Sequence, residues 1–194
     1  MNLVTPLNKR CHFRTDKLLV ESYQIDPTDD EAERVFANCI MKLMTPAVTQ
    51  SLPENWQKIT TEKEAIDWWQ QRLKESCALT VKLLPGNEII GFVFLHEVEC
   101  HEQLANLHIG YLIGEDYWSK GYGSDLIKGV VNWALLDKRI YSIIGGVDSD
   151  NKGSIKVLEK NGFRLSNQKG PSQNTLFFEY VFERKISDDD LGGK

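Results

Sequence analysis

Three apolar runs, "ALTVKLL", "EIIGFVFLHEV" and "NLHIGYLIG", succeed one another from Ala78 to Gly114, with large side chains on alternate positions. A period of two marks strands that bury a face. The turn "PGN" joining the first two leaves room only for a tight reversal, so the runs read as an antiparallel meander. Such a sheet needs cover from other elements, and that requirement bounds the rest of the chain.

The cover is written on either side of the meander. In "TDDEAERVFANCIMKL" Thr28 is placed to cap a helix with Glu31 reaching back, and Ala32, Val35, Phe36, Cys39, Ile40 and Leu43 recur at helical spacing. "TEKEAIDWWQQRL" repeats the device with Thr61 and Glu64, and sets Ile66, Trp69 and Leu73 on one face. A strand, "KLLVESYQI", precedes them. After the meander come a helix from about Gly123 to Leu136, a strand "IYSIIGGV", a helix "NKGSIKVLEKN" ending at a left-handed Gly162, and the strands "FRL" and "TLFFEYVFE". The order is mixed α/β (α+β) without internal repeat or linker, which predicts one domain over 15–185 between an extension, 1–14, and a tail, 186–194.

Composition narrows the class. At 194 residues, 41% hydrophobic and 26% charged, the chain is ordinary globular material. No apolar stretch approaches the roughly 18 residues a membrane span needs, and "MNLVTPLNKRCHF" lacks a secretory h-region, which together predict a cytoplasmic protein. The net charge of −5 argues against nucleic acid as a partner and fits a cationic one. Cys11, Cys39, Cys77 and Cys100 are scattered without a C-x-x-C pair, the pattern of reduced thiols.

The handover from the third strand to the next helix is "YWSKGYGSD". A helix starting after a glycine turn presents amides with no partner of their own, at the positive end of its dipole. Gly121 and Gly123 remove the Cβ atoms that would hold an anion away, and Lys120 adds charge. The loop is too short for a P-loop, and Leu126 replaces the third glycine of G-x-G-x-x-G. A tight turn with no ligand would use the same glycines.

The run "IGYLIGEDYWSKGYGSDLIKGVVNWAL", continued by "IYSIIGGVDSDNKGSIKVLEKNGFRL", resembles the GNAT acyltransferases. The likeness is to their ribosomal-protein N-terminal acetyltransferase (RimJ/RimL-like) branch, through "WSKGYG" and "NKGSIKVLEKNGF". It covers about residues 15 to 184. Trp118 stands at the first place of the wider [QR]-x-x-G-x-[GA] turn, as this branch tolerates. The resemblance implies a GNAT fold: a mixed, mostly antiparallel sheet of about six to seven strands, about four helices, and a splay between the two central strands. It implies acetyl-CoA as co-substrate. The pyrophosphate would lie on Trp118, Ser119, Lys120, Gly121, Tyr122, Gly123 and Ser124, and the pantetheine beside Tyr111, Leu112 and Ile113, with Asn151 near the thioester. A possible homodimer is also implied.

Direct transfer of an acetyl group to an amine asks for a base, for dipoles at the developing oxyanion, and for a donor to the departing sulfur. Seven residues past Asn151, where many relatives carry a tyrosine acid, stands Leu158. Ser154 of the N-x-x-S pattern is the candidate donor, against a purely local role at a helix start. His108, two residues before Gly110, is the candidate base, against simple packing; Glu97 and Glu99 are alternatives. An α-amine is far more often neutral at pH 7.4 than a lysine-like amine, a gap of about 4 kcal/mol, so a weak base suits a protein N-terminus as acceptor. A small amine such as a polyamine or aminoglycoside, or acyl-CoA binding without turnover, are the rival readings.

Other features weigh less. "DSDNKGSIKVLE" imitates a calcium loop but puts Lys152 at a ligand position, and "HEVECH" is not H-E-x-x-H, so no metal is expected. Trp56, Trp68 and Trp69 are offered as an acceptor-facing wall or as core. "SNQKGPSQNT" is read as an acceptor-side loop.

Overall fold

The computed structural model describes residues 5–26, 28–101, 104–168 and 174–183. The strands are β1 (Phe13–Arg14), β2 (Leu18–Ser22), β3 (Cys77–Leu83), β4 (Ile89–His101), β5 (Leu104–Ile113), β6 (Ile140–Asp148), β7 (Arg164–Leu165) and β8 (Thr175–Val181). The helices are α1 (Leu7–Arg10), α2 (Asp30–Leu43), α3 (Pro46–Thr49), α4 (Glu62–Glu75), α5 (Tyr122–Leu136) and α6 (Lys152–Lys160). One sheet forms in the order β1-β2-β3-β4-β5-β6-β8-β7. Only β5 and β6 run parallel. The meander is β3-β4-β5, as its alternation predicts. The excess over the expected six to seven strands and four helices comes from the two-residue β1 and the four-residue α1 and α3, too short to show a period.

Alternation along β4 divides the interior in two. Ile90, Val93 and Leu95 join Leu126, Ile127, Val130 and Leu158 on the face covered by α5 and α6. Phe92 and Phe94 join Phe36, Ile40, Trp68 and Trp69 on the face covered by α2 and α4. Cys11 is buried in the first of these cores and Phe13 packs against it, so part of the segment ahead of residue 15 is built into the fold. The tail 186–194 lies outside the described residues.

Two helix readings shift. The α2 cap is Asp29, whose carboxylate accepts from the Ala32 amide (2.9 Å), while Thr28 bonds back to Asp26. Val35, expected on the buried stripe, is 60% exposed. The α4 capping box of Thr61 and Glu64 is present. Its buried face, however, is Ala65, Trp68, Trp69 and Arg72, while Leu73 is exposed. The sheet wants both indoles, and only a stripe rotated towards Trp68 supplies them.

Candidate active site

Pairing between β5 and β6 runs from Ala105↔Ile140 to Ile109↔Gly145 and stops there. β5 nonetheless continues to Ile113 against β4, and β6 to Asp148 against β8. The two central strands therefore splay. Beyond the end of β5 the Gly114 amide donates to the Ile90 carbonyl (2.9 Å). Since peptide directions alternate along an antiparallel strand, Gly110 and Leu112 bond β4, while the peptide groups of Tyr111 and Ile113 face the split. Trp118 Nε1 donates to the Ile113 carbonyl (2.7 Å), which fixes the indole beside the opening. Leu112 is not brought to the split: its peptide serves β4 and its side chain is buried against α2 and α4.

The glycine turn lies just beyond. Ser119 and Gly121 have positive φ, 60° and 84°. The first bond of the α5 ladder runs from the Asp125 amide to the Gly121 carbonyl (3.0 Å), so the amides of Tyr122, Gly123 and Ser124 precede it. A Cβ on Gly121 would meet nothing within 4 Å, so the backbone angle, not crowding, calls for glycine there. Gly123 serves packing instead: its Cβ would stand 3.5 Å from Val157 and 4.0 Å from Tyr111. Asn161 Nδ2 donates to Ser124 Oγ (3.2 Å) and ties the turn to the end of α6. Lys120 Nζ donates to the Asp116 carbonyl (2.7 Å), which holds its charge just ahead of the turn. Open amides, a helix dipole and a nearby ammonium fit a pyrophosphate.

On the other wall, Asn151 caps α6, its Oδ1 accepting from the Ser154 amide (3.0 Å). The phenol of Tyr111 is buried beside Ser154, and its oxygen makes no hydrogen bond. Burial pushes this phenol up to about 12, and the adjacent Ser154 hydroxyl pulls more weakly the other way. The two are neighbours short of a formed hydrogen bond. Leu158 lies in the core, away from any such role.

His108 points to the α2/α4 side, since Leu107 and Ile109 occupy the other core. It pairs across the strands with His96. Burial, and then the neighbouring His96, hold its imidazole below the ordinary value of 6.5, so it is neutral near neutral pH and able to accept a proton. Glu97 leaves the list of bases: Arg10 grips it, and Arg139 bonds it at 3.2 Å. Trp68 and Trp69 are core residues. Trp56, only part-buried, stacks edge-on to Phe94 with centroids 5.0 Å apart, and Phe94 lies against Gly110 two residues from His108. The buried Arg72 guanidinium sits 4.4 Å above the Trp56 ring and holds it there. Sequence reasoning missed that support, because a single arginine on a helix carries no pattern to single it out, and it named Tyr111 for its place along the strand and not for its hydroxyl.

The calcium-like stretch closes on itself, with Asp148 Oδ1 accepting from the Asp150 amide (2.8 Å). A groove of about 430 Å³ lies apart from this chemistry, between α2 and the β3–β4 turn at Val35, Lys42, Glu88 and Tyr117. Residues 169–173 of the proposed acceptor loop lie outside the described residues.

A mixed sheet split between its two central strands, with an amide-lined glycine turn at the mouth, defines a class, and the chain belongs to it. Residues 21–164 match the acetyltransferase (GNAT) domain family, whose members use acetyl-CoA. Among curated proteins it is 27% identical over 112 residues to the probable N-acetyltransferase YjcK of Bacillus subtilis (strain 168), covering 57% of this chain and 61% of that one. Thus it spans less than two thirds of that relative. Among solved structures it superposes on a GNAT-family acetyltransferase from Bacillus anthracis with TM-score 0.68 and 17% identity, over 88% of this chain and 98% of that one. It superposes equally on the coenzyme A complex of RimL, a ribosomal L7/L12 α-N-protein acetyltransferase, with TM-score 0.66 and 17% identity, over 87% and 96%.

Proposed function

We propose that the chain moves the acetyl group of acetyl-CoA to a primary amine, and that this amine is a protein N-terminus. The observation that carries the reading is the split itself: the peptide groups of Tyr111 and Ile113 face an opening bordered by the amides at the start of α5 and by the start of α6. Bound acetyl-CoA supplies an acyl thioester open to direct attack by an amine. The amides of Tyr122, Gly123 and Ser124 hold its phosphates, and the Tyr111 peptide groups with the Ile113 amide orient its arm, the Ile113 carbonyl being taken by Trp118. Asn151 sets the Ser154 amide and with it the pitch of the first turn of α6. Ser154 donates a hydrogen bond toward the departing sulfur, and His108, neutral, takes the proton of the amine from the opposite face.

The acceptor follows from the weakness of that base. His108 is one imidazole without an acidic partner among its described strand neighbours, His96 and Ile144. An α-amine, already partly neutral, needs little more, and the likeness to RimL supports the same class. Acetyl-CoA-dependent thiol release is to be measured on Ala-, Ser- and Met-starting peptides, spermidine, an aminoglycoside and free lysine. Turnover confined to the peptides is expected, falling at least about tenfold in Ser154→Ala. Turnover of a small amine alone would reject the N-terminal acceptor. Silence on all of them, with coenzyme A still bound, would reject catalysis on these amines.

A further inference from the structure

The Tyr111 hydroxyl is a buried donor that makes no hydrogen bond among the described residues. A phenylalanine would fill the same space without desolvating a polar group, so for folding alone the oxygen is a burden. Three facts give it a direction. It stands on the part of β5 that β6 has released. Its ring borders Gly123 at the start of α5. It stands beside the Ser154 side chain, whose own amide is already committed to Asn151. No phenol reaches this point from α6, because Leu158 is packed in the core.

We propose that Tyr111 is a positioning residue for the leaving thiol: its O–H donates to Ser154 Oγ and leaves the Ser154 hydrogen free to point at the sulfur of coenzyme A. The proposal rests on the reading of the split as an acetyl-CoA site. A serine hydroxyl carries one hydrogen and two lone pairs, so receiving a hydrogen bond from one side frees its own hydrogen for the other. Tyr111 transfers no proton. Burial pushes its phenol up to about 12, so it stays a donor wherever the protein is folded.

The test reads the thiol rather than turnover. Coenzyme A bound to the protein is titrated by thiolate absorbance, taken as the difference from the desulfo-coenzyme A complex to cancel tyrosinate, while calorimetry gives its affinity. A donor aimed at sulfur favours the thiolate, so the bound thiol is expected to titrate about one pH unit lower in the wild type than in Y111F. S154A should match Y111F, and the double variant should add nothing more. Affinity for coenzyme A should change by less than about threefold, and kcat on the active amine should fall about tenfold with KM steady. A hydroxyl that matters only to packing would leave the thiol unmoved. An unmoved thiol in Y111F with coenzyme A still bound overturns this proposal alone, and absence of binding to the wild type overturns the cleft reading along with it. Should Y111F fail to fold, S154A decides by the same shift.

Discussion

His108 and Glu97 stand eleven positions apart and face opposite cores, and their fates differ because their neighbours do. Glu97 is spent on Arg10 and Arg139. His108 is held below 6.5 by burial and then by His96. The folded state thus prefers neutral imidazole, and between its depressed value and 6.5 the unfolded chain binds the extra proton. Stability is full above 6.5 and declines as the pH drops through that window. His108→Gln should therefore flatten the acid side of the stability profile, seen as similar urea midpoints at about pH 7.5 and about pH 5.5 where the wild type loses some. The same variant should lower kcat/KM on a responsive peptide at least about tenfold and remove the acid limb of its pH profile. A profile unchanged in both respects would return His108 to packing. The helix starts that border the split, at Gly121 and Asn151, were legible because glycines and a capping asparagine stand at a fixed short spacing from each helix. Leu112 was misplaced because a run of names along a strand does not say which peptide groups face which neighbour; only the Gly114 to Ile90 bond does.

At the scale of elements, the helix starts make a clean comparison. Thr61 and Glu64 form the expected box. At α2 the cap sits one residue later than expected, because Asp26 engages Thr28 and leaves Asp29 to receive the Ala32 amide. Asp29→Ala should cost about 1 kcal/mol of stability, and Thr28→Ala less than half of that, as chemical denaturation would show. Equal losses would mean the two caps share the work. Periodicity found every long helix and strand, since eight or more residues repeat their pattern often enough to be read. It failed on which stripe of α4 is buried, because Arg72 lies in that stripe and breaks its apolar rhythm while laying its guanidinium on Trp56. Hydrophobic pattern alone cannot anticipate a cation that is buried by stacking.

For the whole molecule, the proposed site comes from topology: the split exists because two neighbouring strands each follow a different outer partner. A ligand that binds only this arrangement stabilises all of it. Coenzyme A at about 100 times its dissociation constant should add about 2.7 kcal/mol, or roughly 5 to 10 °C in Tm for a chain of this size. Gly121→Ala should blunt that gain at the same concentration, because φ of 84° at the turn costs an alanine about 1 to 2 kcal/mol and tilts the amides. A full shift in that variant would place the phosphates somewhere other than the turn. The order of the strands has a further consequence. The outermost members, β1 and β7, are two residues long, so the rims offer little backbone for a foreign chain to zip onto. The unpaired margin is instead kept in the middle of the sheet, where β5 and β6 part between two helical flanks. The protein has turned what is usually an invitation to aggregate into a private berth.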